Sequence, residues 1–218
     1  MRFKGFSLVL ATALVSGCMT YDPYTGEEKV SSATTGAAIG ALTGAAIGVA
    51  TSSKKDRGKG ALIGAAAGGA IGGGVGYYMD QQESKLRHQL EGTGVRVARS
   101  GDEITLIMPG NITFDTGKSD IKANFTEVLT SVSVVLKEFD ETAIKVGGHT
   151  DSTGSLGFNQ TLSEQRADSV KYFLQSQEIP SGRIHASGFG PRYPVASNSS
   201  AAGREANRRV ELKLLPLK

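Results

Sequence analysis

The hydrophobic and polar positions divide this chain into three regions with different periods. A short apolar run lies within residues 1–17, and residues 31–80 repeat glycine every four positions between alanine, isoleucine and leucine. From about residue 94 onward, apolar runs of strand length alternate with runs that have helical spacing. A period near 3.6 indicates an amphipathic helix and a period of 2 indicates a strand. We therefore predict an N-terminal signal, a glycine-rich helical region and a folded C-terminal domain.

Residues 94–218 are predicted to form one domain, because about 120 residues are enough to bury a single core. The predicted elements are a β-hairpin around residues 100–102, a helix at 121–139, a strand at 143–148, a helix at about 158–177, a strand at 183–186, a helix at 201–206 and a strand at 210–214. This alternation predicts an α+β fold in which helices cover one face of a mixed β-sheet. A linker helix is predicted over residues 81–93, before the domain.

The glycine-rich residues 31–80 predict a hairpin of two closely packed helices. The repeated glycines are Gly36, Gly40, Gly44 and Gly48 in the first half and Gly60, Gly64, Gly68, Gly72 and Gly76 in the second. A period of four places them along one helical stripe, where two helices can approach closely. Each half has roughly 18 residues without a charge, the length of a membrane span. A flexible linker is the alternative, because each glycine costs a helix about 1 kcal/mol relative to alanine.

Residues 1–17 are predicted to be an export signal. Arg2 and Lys4 precede an apolar run that ends at Val15 and is too short to span a bilayer. The following Ser16-Gly17-Cys18 is similar to the lipobox of bacterial lipoproteins. That resemblance implies cleavage before Cys18 and attachment of lipid, palmitate included, to its sulfur and amine. An ordinary signal peptide that contains a cysteine is the alternative. Residues 18–30 are polar and are predicted to be a lipidated tether.

Composition argues against several classes of protein. The 24 basic and 21 acidic residues nearly balance, and no basic stripe with interleaved aromatic residues is present, so we predict no nucleic-acid partner. A single cysteine leaves no internal disulfide and no cysteine pair for a metal, and His88 and His185 lie far apart. We predict no metal and no cofactor. No G-x-S-x-G motif is present, so we predict no enzyme, with a cell-wall hydrolase as a minor alternative.

The candidate binding motif joins a polar loop to the helix that follows it. Asp151 comes directly after the strand predicted at 143–148, and Asn159, Leu162, Ser163 and Arg166 fall on one helical face. Arg166 can therefore point over the loop that holds Asp151. A carboxylate and a guanidinium at a fixed separation suit the ammonium and carboxylate of an amino acid, because arginine takes a carboxylate with two hydrogen bonds. A plain salt bridge from loop to helix is the alternative.

The order of the motifs resembles the OmpA-like C-terminal domain family. The motifs are T-D-x-x-G at 150–154, N-x-x-L-S-x-x-R-A at 159–167 and N-R-R-V-E at 207–211. Together with the lipobox and the glycine repeat, the chain resembles glycine-zipper lipoproteins of the YiaD type. The resemblance implies non-covalent binding of peptidoglycan through diaminopimelate. It assigns the ligand to Asp151 and Arg166, with contributions from Thr150, Asn159 and Arg209. Because Arg208 and Arg209 are adjacent, only one of them can share the ligand face.

The resemblance further implies an envelope lipoprotein that tethers a membrane to the cell wall. Its expected partners are the meso-diaminopimelate stem peptide of peptidoglycan and a membrane. A homo-oligomer is also compatible with the sequence. The alternative is a membrane-embedded structural protein whose zipper oligomerises, or an envelope assembly factor. Met19, rather than Asp, after Cys18 predicts an outer-membrane lipoprotein with its domain in the periplasm. The basic residues at 54–59 favour the alternative of an inner-membrane hairpin, through the positive-inside rule.

Overall fold

The structure, a computed structural model, describes residues 19–21, 28–54 and 56–217. The predicted export signal and Cys18 lie outside the described residues, so cleavage and lipidation remain predictions. Within the predicted tether, Met19–Tyr21 (β1) pairs antiparallel with Glu28–Val30 (β2). A two-stranded ribbon therefore precedes the glycine-rich region.

The predicted helical hairpin is confirmed, with helices Ser32–Thr51 (α1) and Arg57–Leu90 (α2). Ser31 caps α1, because its hydroxyl accepts a hydrogen bond from the backbone N–H of Ala33 at 3.1 Å. The two glycine stripes face each other along the whole hairpin. The pairs are Gly36 with Gly72, Gly40 with Gly68, Gly44 with Gly64 and Gly48 with Gly60. A Cβ atom on Gly44 would lie 2.0 Å from the carbonyl oxygen of Gly64, so the backbones touch where no side chain fits.

The second helix of the hairpin continues without a break into the C-terminal domain. Met79, Leu86 and Leu90 lie on this continuation and are buried in the domain core. The helix ends at Leu90, followed by Gly92 with φ of +73°. The stretch predicted to be a linker helix over 81–93 is therefore an integral packing element of the domain. Zipper and domain share one helix of 34 residues, about 50 Å long.

The domain contains a five-stranded sheet. Its elements are Arg96–Ser100 (β3), Glu103–Pro109 (β4), Gly110–Thr113 (α3), Ala123–Glu138 (α4), Thr142–His149 (β5), Leu156–Ser176 (α5), a 3₁₀ turn at Ser181–Arg183, Ile184–Gly188 (β6), Ala201–Asn207 (α6) and Arg209–Pro216 (β7). The strand order is β3-β4-β7-β5-β6, in which β5 and β6 are parallel and all other neighbours antiparallel. The short helix α3 lies in the stretch before 121–139 where no element was predicted.

Helices cover one face of this sheet, as predicted. Side chains that point to the covered face are apolar and fully buried, among them Ile104, Leu106, Leu212 and Leu214. The same core contains buried residues of α2, α4 and α5. Side chains on the opposite face are largely polar, as at Lys145 and Lys213, which pair across β5 and β7. The predicted α+β fold with a mixed sheet is confirmed.

Two glycines bring α5 and its preceding loop close to β5. A Cβ atom on Gly148 would lie 2.0 Å from the carbonyl oxygen of Ser163, so α5 crosses β5 at backbone contact. Gly154 has φ of +93°, which L side chains rarely adopt, and it turns the chain into the helix. Ser155 then caps α5 by accepting from the N–H of Phe158 at 3.2 Å. These features place the predicted binding loop beside the first turns of α5.

Candidate functional site

A cavity of about 460 Å³ lies at one end of the sheet, where β4 and β5 end and β7 begins. Its walls come from the loop after β5, the first turns of α5, helix α3 with the loop that follows it, and α6. The lining residues are Gly110, Asn111, Phe114, Asp115, Thr116, Gly117, Thr150, Asp151, Thr153, Phe158, Asn159, Leu162, Arg166, Arg204 and Arg208. Four of the five residues predicted to bind the ligand therefore meet in one cavity: Thr150, Asp151, Asn159 and Arg166.

Asp151 is held at the cavity wall as a charged carboxylate. Its Oδ1 accepts from the backbone N–H of Thr153 at 2.8 Å, and its Oδ2 accepts from Nη1 of Arg208 at 2.6 Å. Burial by itself raises the pKa of Asp151, but the hydrogen bonds from Arg208 and Thr153 outweigh burial and leave the pKa below its ordinary value. The carboxylate is therefore ionised at neutral pH and presents a negative charge to the cavity.

Arg166 enters the same cavity from α5 with only 4% of its surface exposed. Its Nε donates to the carbonyl of Lys118 at 2.9 Å and its Nη2 to the carbonyl of Asp115 at 3.5 Å. The guanidinium stacks over Phe114, 5.1 Å from the ring centroid. Burial and the nearby Arg208 lower the pKa of Arg166, whereas Asp151 raises it. Nη1 donates to no acceptor among the described residues, which leaves one edge of the guanidinium for a ligand.

Thr150 and Asn159 take different parts in this cavity. The hydroxyl of Thr150 is buried and has no hydrogen-bond partner among the described residues. A buried hydroxyl without a partner is costly, so it is a natural contact for a polar ligand. Asn159 instead donates from Nδ2 to the carbonyl of Thr153 at 2.8 Å and holds the loop that carries Asp151. Asn159 therefore lines the cavity and also positions the loop that carries Asp151.

The structure separates the two adjacent arginines of the N-R-R-V-E motif. Arg208 lines the cavity and pairs with Asp151, with 39% of its side chain exposed. Arg209 points to the other side of the sheet and does not line the cavity. It is buried there and donates to Glu211 at 2.7 Å, to the carbonyl of Asn207 at 3.2 Å and to the carbonyl of Tyr193 at 3.3 Å. Of the two arginines, Arg208 lines the cavity with Asp151 and Arg166, and Arg209, which was expected there, does not.

A strand alternation visible in the sequence could have distinguished the two arginines. Val210, Leu212 and Leu214 point to the covered face of β7, and Glu211 and Lys213 point to the open face. Arg208 lies two residues before Val210, so its side chain points to the same side of the sheet, where α5 and Arg166 lie. The sequence prediction also left Phe158 and Leu162 out of the ligand set, although both line the cavity beside Asn159.

His149 lies on the open face of the sheet and packs against Phe189. Its ring stacks on Phe189 with centroids 5.2 Å apart, and its Nε2 lies 4.0 Å from Glu211. Burial, followed by the charge of Arg209, lowers the pKa of His149 to about 4, although Glu211 raises it. The ring is therefore neutral in the folded protein at pH 7. No group of three or more metal-ligating side chains occurs within residues 19–21, 28–54 and 56–217.

Two known protein families match separate regions of this chain. The OmpA family matches residues 113–208, and the YMGG-like Gly-zipper family matches residues 1–80. The probable lipoprotein YiaD of Escherichia coli K12 is 55% identical over 211 residues, which cover 97% of this chain and 96% of that protein. The chain therefore belongs to the family of this lipoprotein, and it carries an OmpA family domain behind a glycine zipper.

More distant relatives match the C-terminal domain alone. The outer-membrane lipoprotein YfiB of Pseudomonas aeruginosa is 34% identical over 105 residues, 48% of this chain and 62% of that protein. The cell wall anchor of the T6SS from P. aeruginosa superimposes with a TM-score of 0.55 at 28% identity, covering 60% of this chain and 96% of that one. A MotB-like protein from Desulfovibrio vulgaris superimposes with a TM-score of 0.59 at 22% identity, over 66% of this chain and 96% of that one. This match shows that the two proteins share a fold. These matches identify an envelope lipoprotein with an OmpA-like domain.

Proposed function

We propose that this lipoprotein binds peptidoglycan non-covalently by holding the free amino-acid end of meso-diaminopimelate in the cavity, and so tethers its membrane to the cell wall. The single observation that carries the proposal is the convergence of Asp151, Arg166 and Arg208 on one cavity lined in part by apolar side chains. The proposed role is binding without catalysis.

The charges of the cavity match the charges of an amino acid. Among the charged side chains that line it, the carboxylate of Asp151 and the guanidinium groups of Arg166 and Arg208 suit a ligand with one ammonium and one carboxylate, because each ligand charge then meets an opposite one. In the proposed complex the ammonium binds Asp151, and the carboxylate binds the open edge of Arg166 together with Arg208. The unpartnered hydroxyl of Thr150 supplies a further hydrogen bond. Phe158 and Leu162 would contact the methylene chain between the two ends of the ligand.

The position of the cavity in the molecule suits a tether. The zipper helix α2 joins the domain beside the start of β5, where the hydroxyl of Tyr78 accepts from the N–H of Glu141 at 2.9 Å. The cavity lies beyond the end of β5, which runs for eight residues from Thr142 to His149, roughly 25 Å. A ligand in the cavity is therefore held at the end of the domain opposite to the zipper.

Substitution of the two charged residues tests wall binding. We expect Asp151→Ala and Arg166→Ala each to weaken sedimentation of the full chain with purified sacculi by a factor that corresponds to about 2–5 kcal/mol, because each leaves a ligand charge unpaired. Free meso-diaminopimelate should compete with sacculi for the parent chain. Glu178→Ala and Arg96→Ala remove exposed charges elsewhere and serve as matched controls.

Arg166 also bonds the loop that carries Asp115 and Lys118, so its loss could act through the fold. Arg166→Lys keeps the charge but not the planar fork, and thermal unfolding of every variant separates folding from binding. Normal sedimentation of a folded Asp151→Ala chain, or no competition by meso-diaminopimelate, would contradict the proposal.

We place the protein in the outer membrane, anchored by lipid on Cys18, with its domain in the periplasm. The support is the residue after the lipid cysteine, which is Met19 and not Asp. Cys18→Ser should abolish incorporation of labelled palmitate, and sucrose-gradient fractionation should place the parent with outer-membrane markers. Banding with inner-membrane markers would favour the alternative topology. Met19→Asp should shift the protein inward if lipid sorting governs its location.

The alternative function, a zipper that oligomerises, has less support from the structure. The glycine faces of α1 and α2 are already in contact within one chain, from Gly36–Gly72 to Gly48–Gly60. An oligomer would therefore have to use the outer faces of the hairpin. Crosslinking of the full chain in membranes tests this: a ladder of oligomers in the Asp151→Ala variant, with no wall binding in the parent, would favour the alternative.

A further inference from the structure

The outer surface of the zipper hairpin is apolar and uncovered. Large apolar side chains there have more than half of their surface exposed: Ile39, Leu42, Ile47, Leu62, Ile63 and Ile71. The core helix of a soluble protein would bury such residues. The stretch Ala33–Thr51 has a mean hydropathy of 1.4, and none of its residues is buried. The glycine stripes already form the contact between the two helices, so within the described part of the chain these side chains face no partner surface. Such a surface is typical of a hairpin that contacts lipid.

The dimensions of this surface match the hydrocarbon layer of a bilayer. Helix α1 has 20 residues and no charged side chain, which corresponds to about 30 Å. Residues 60–79 of α2 are likewise without a charged side chain. Every glycine carbonyl and N–H at the contact lies within a helical hydrogen-bonded backbone, so both helices satisfy the requirement for a lipid environment.

The two ends of this uncharged surface differ in chemistry. At the end next to the domain, α2 carries Tyr77, which is 61% exposed, and tyrosine is enriched where membranes meet water. At the other end, residues 52–59 contain four basic residues and one acid, Asp56. The described cations of this turn, Lys54, Arg57 and Lys59, are exposed. Asp56 accepts a hydrogen bond from the hydroxyl of Ser53 at 2.8 Å, which ties the single acid into the turn.

We propose that the hairpin crosses the bilayer completely and that its basic turn binds phosphate groups of anionic lipids in the leaflet remote from the domain. The occupant follows from charge complementarity, because a net-positive turn at the end of an uncharged 30 Å surface meets head groups there. The inference rests on the lipoprotein character of the chain and not on wall binding. It holds whichever membrane contains the protein, because the turn and the domain lie at opposite ends of the hairpin.

The absence of tryptophan from the chain allows an unambiguous depth measurement. Leu42→Trp introduces one reporter on the lipid-facing side near the middle of α1. In the full chain reconstituted in bilayer nanodiscs, lipids brominated deep in the acyl chain should quench this tryptophan more strongly than lipids brominated near the head group. Stronger quenching by the shallow bromines would show a hairpin lying at the interface, and no quenching would show one outside the bilayer. Either result overturns the proposal.

Binding of head groups is tested with a reporter at the turn. Thr51→Trp places the donor at the last residue of α1, and dansyl-labelled phosphatidylglycerol and phosphatidylcholine serve as acceptors in nanodiscs of mixed lipids. We expect greater energy transfer to the anionic lipid. Lys54→Gln and Lys59→Gln should each reduce its local enrichment about fivefold, the effect of one basic residue near an anionic surface. Lys137→Gln removes one positive charge from the domain and should leave the preference intact.

The outcomes separate this inference from the proposed function. Equal transfer to both lipids, or a preference that survives loss of Lys54 and Lys59, overturns head-group binding. Sedimentation with sacculi is measured on the same variants and should not change, because the turn lies at the far end of the hairpin from the cavity. A failure of wall binding in the parent would contradict the proposed function and leave the depth and energy-transfer results standing.

Discussion

The OmpA-like domain buries large apolar side chains, whereas the zipper hairpin buries the backbone of its glycines. In the domain, Leu106 and Leu212 pair across β4 and β7 and are fully buried, whereas the open face carries polar side chains such as Lys145 and Lys213. In the hairpin, glycine backbones form the contact and Leu42 has 75% of its surface exposed. One helix, α2, takes part in both arrangements within its 34 residues.

This difference shows which solvent each region is built for. Burial of apolar side chains stabilises a fold only when water is the alternative, and that is the arrangement of the domain. In a bilayer the tails are as apolar as leucine, so helices associate through close backbone packing between small residues. The same helix therefore buries Met79 and Leu86 beyond Tyr77 and exposes Leu62 and Ile71 before it.

The largest expected effect comes from truncating equivalent leucines in the two regions. Leu212→Ala should lower the free energy of unfolding of the domain by about 2–5 kcal/mol, because it removes buried surface and leaves a cavity. Leu42→Ala should change that value by less than about 0.5 kcal/mol, as exposed substitutions do. Urea unfolding of the full chain in detergent, followed by near-ultraviolet signals of the domain, measures both. Similar losses in the two variants would break the comparison.

Two glycine substitutions test the backbone contact of the hairpin. Gly44→Ala should destabilise the hairpin by about 1–3 kcal/mol or more, because a Cβ atom there lies 2.0 Å from the Gly64 carbonyl oxygen. Gly74→Ala is the matched control, since it lies inside α2 with no atom within 4 Å of the added Cβ. It should stabilise the helix by up to about 1 kcal/mol. Hydrogen exchange of hairpin amides in micelles gives both values, and protection that is equal in the two variants would exclude a specific zipper.

The adjacent arginines separate stability from binding within the domain. Arg209→Ala should destabilise the domain by about 1–3 kcal/mol, because it leaves Glu211 and two backbone carbonyls without their buried donor. Arg208→Ala should cost at most about 1 kcal/mol, since that ion pair is partly exposed, but should weaken sedimentation with sacculi. Thermal unfolding and sacculus binding are measured on both. Loss of wall binding in a fully folded Arg209→Ala chain, with Arg208→Ala unaffected, would reverse the assignment.

Acid should destabilise the domain but not the hairpin. The pKa of His149 is about 4 in the folded protein and near 6.5 when the chain is unfolded, so only the unfolded state gains a proton as the pH falls between these values. The stabilisation is complete above pH 6.5 and decreases below it, by on the order of 1–2 kcal/mol between pH 7 and pH 5. Residues 31–53 contain no titratable side chain. Urea unfolding at pH 7 and pH 5 measures this change in the free energy of unfolding, and His149→Gln should reduce it. An equal change in the variant and the parent would show that His149 is not the group responsible.

The sequence by itself determined the elements that depend on local periodicity. The four-residue glycine repeat predicted a close helical contact, and the structure places Gly44 against Gly64 because a period of four keeps glycines on one helical stripe. The spacing of Asn159, Leu162 and Arg166 predicted one helical face, and the three residues line one cavity. Such patterns are legible because they repeat within a few residues of each other.

Only the tertiary structure decided the features that depend on contacts between distant segments. The leucines at 86 and 90 predict a helical face but not whether it is covered, and packing against the sheet made it part of the core. The pairing of β7 with β5 brought Arg208 to Asp151, which lies 57 residues away in sequence. Local propensity carries no information about such partners, because the energy of a long-range pair arises only after both segments have been brought together by the fold.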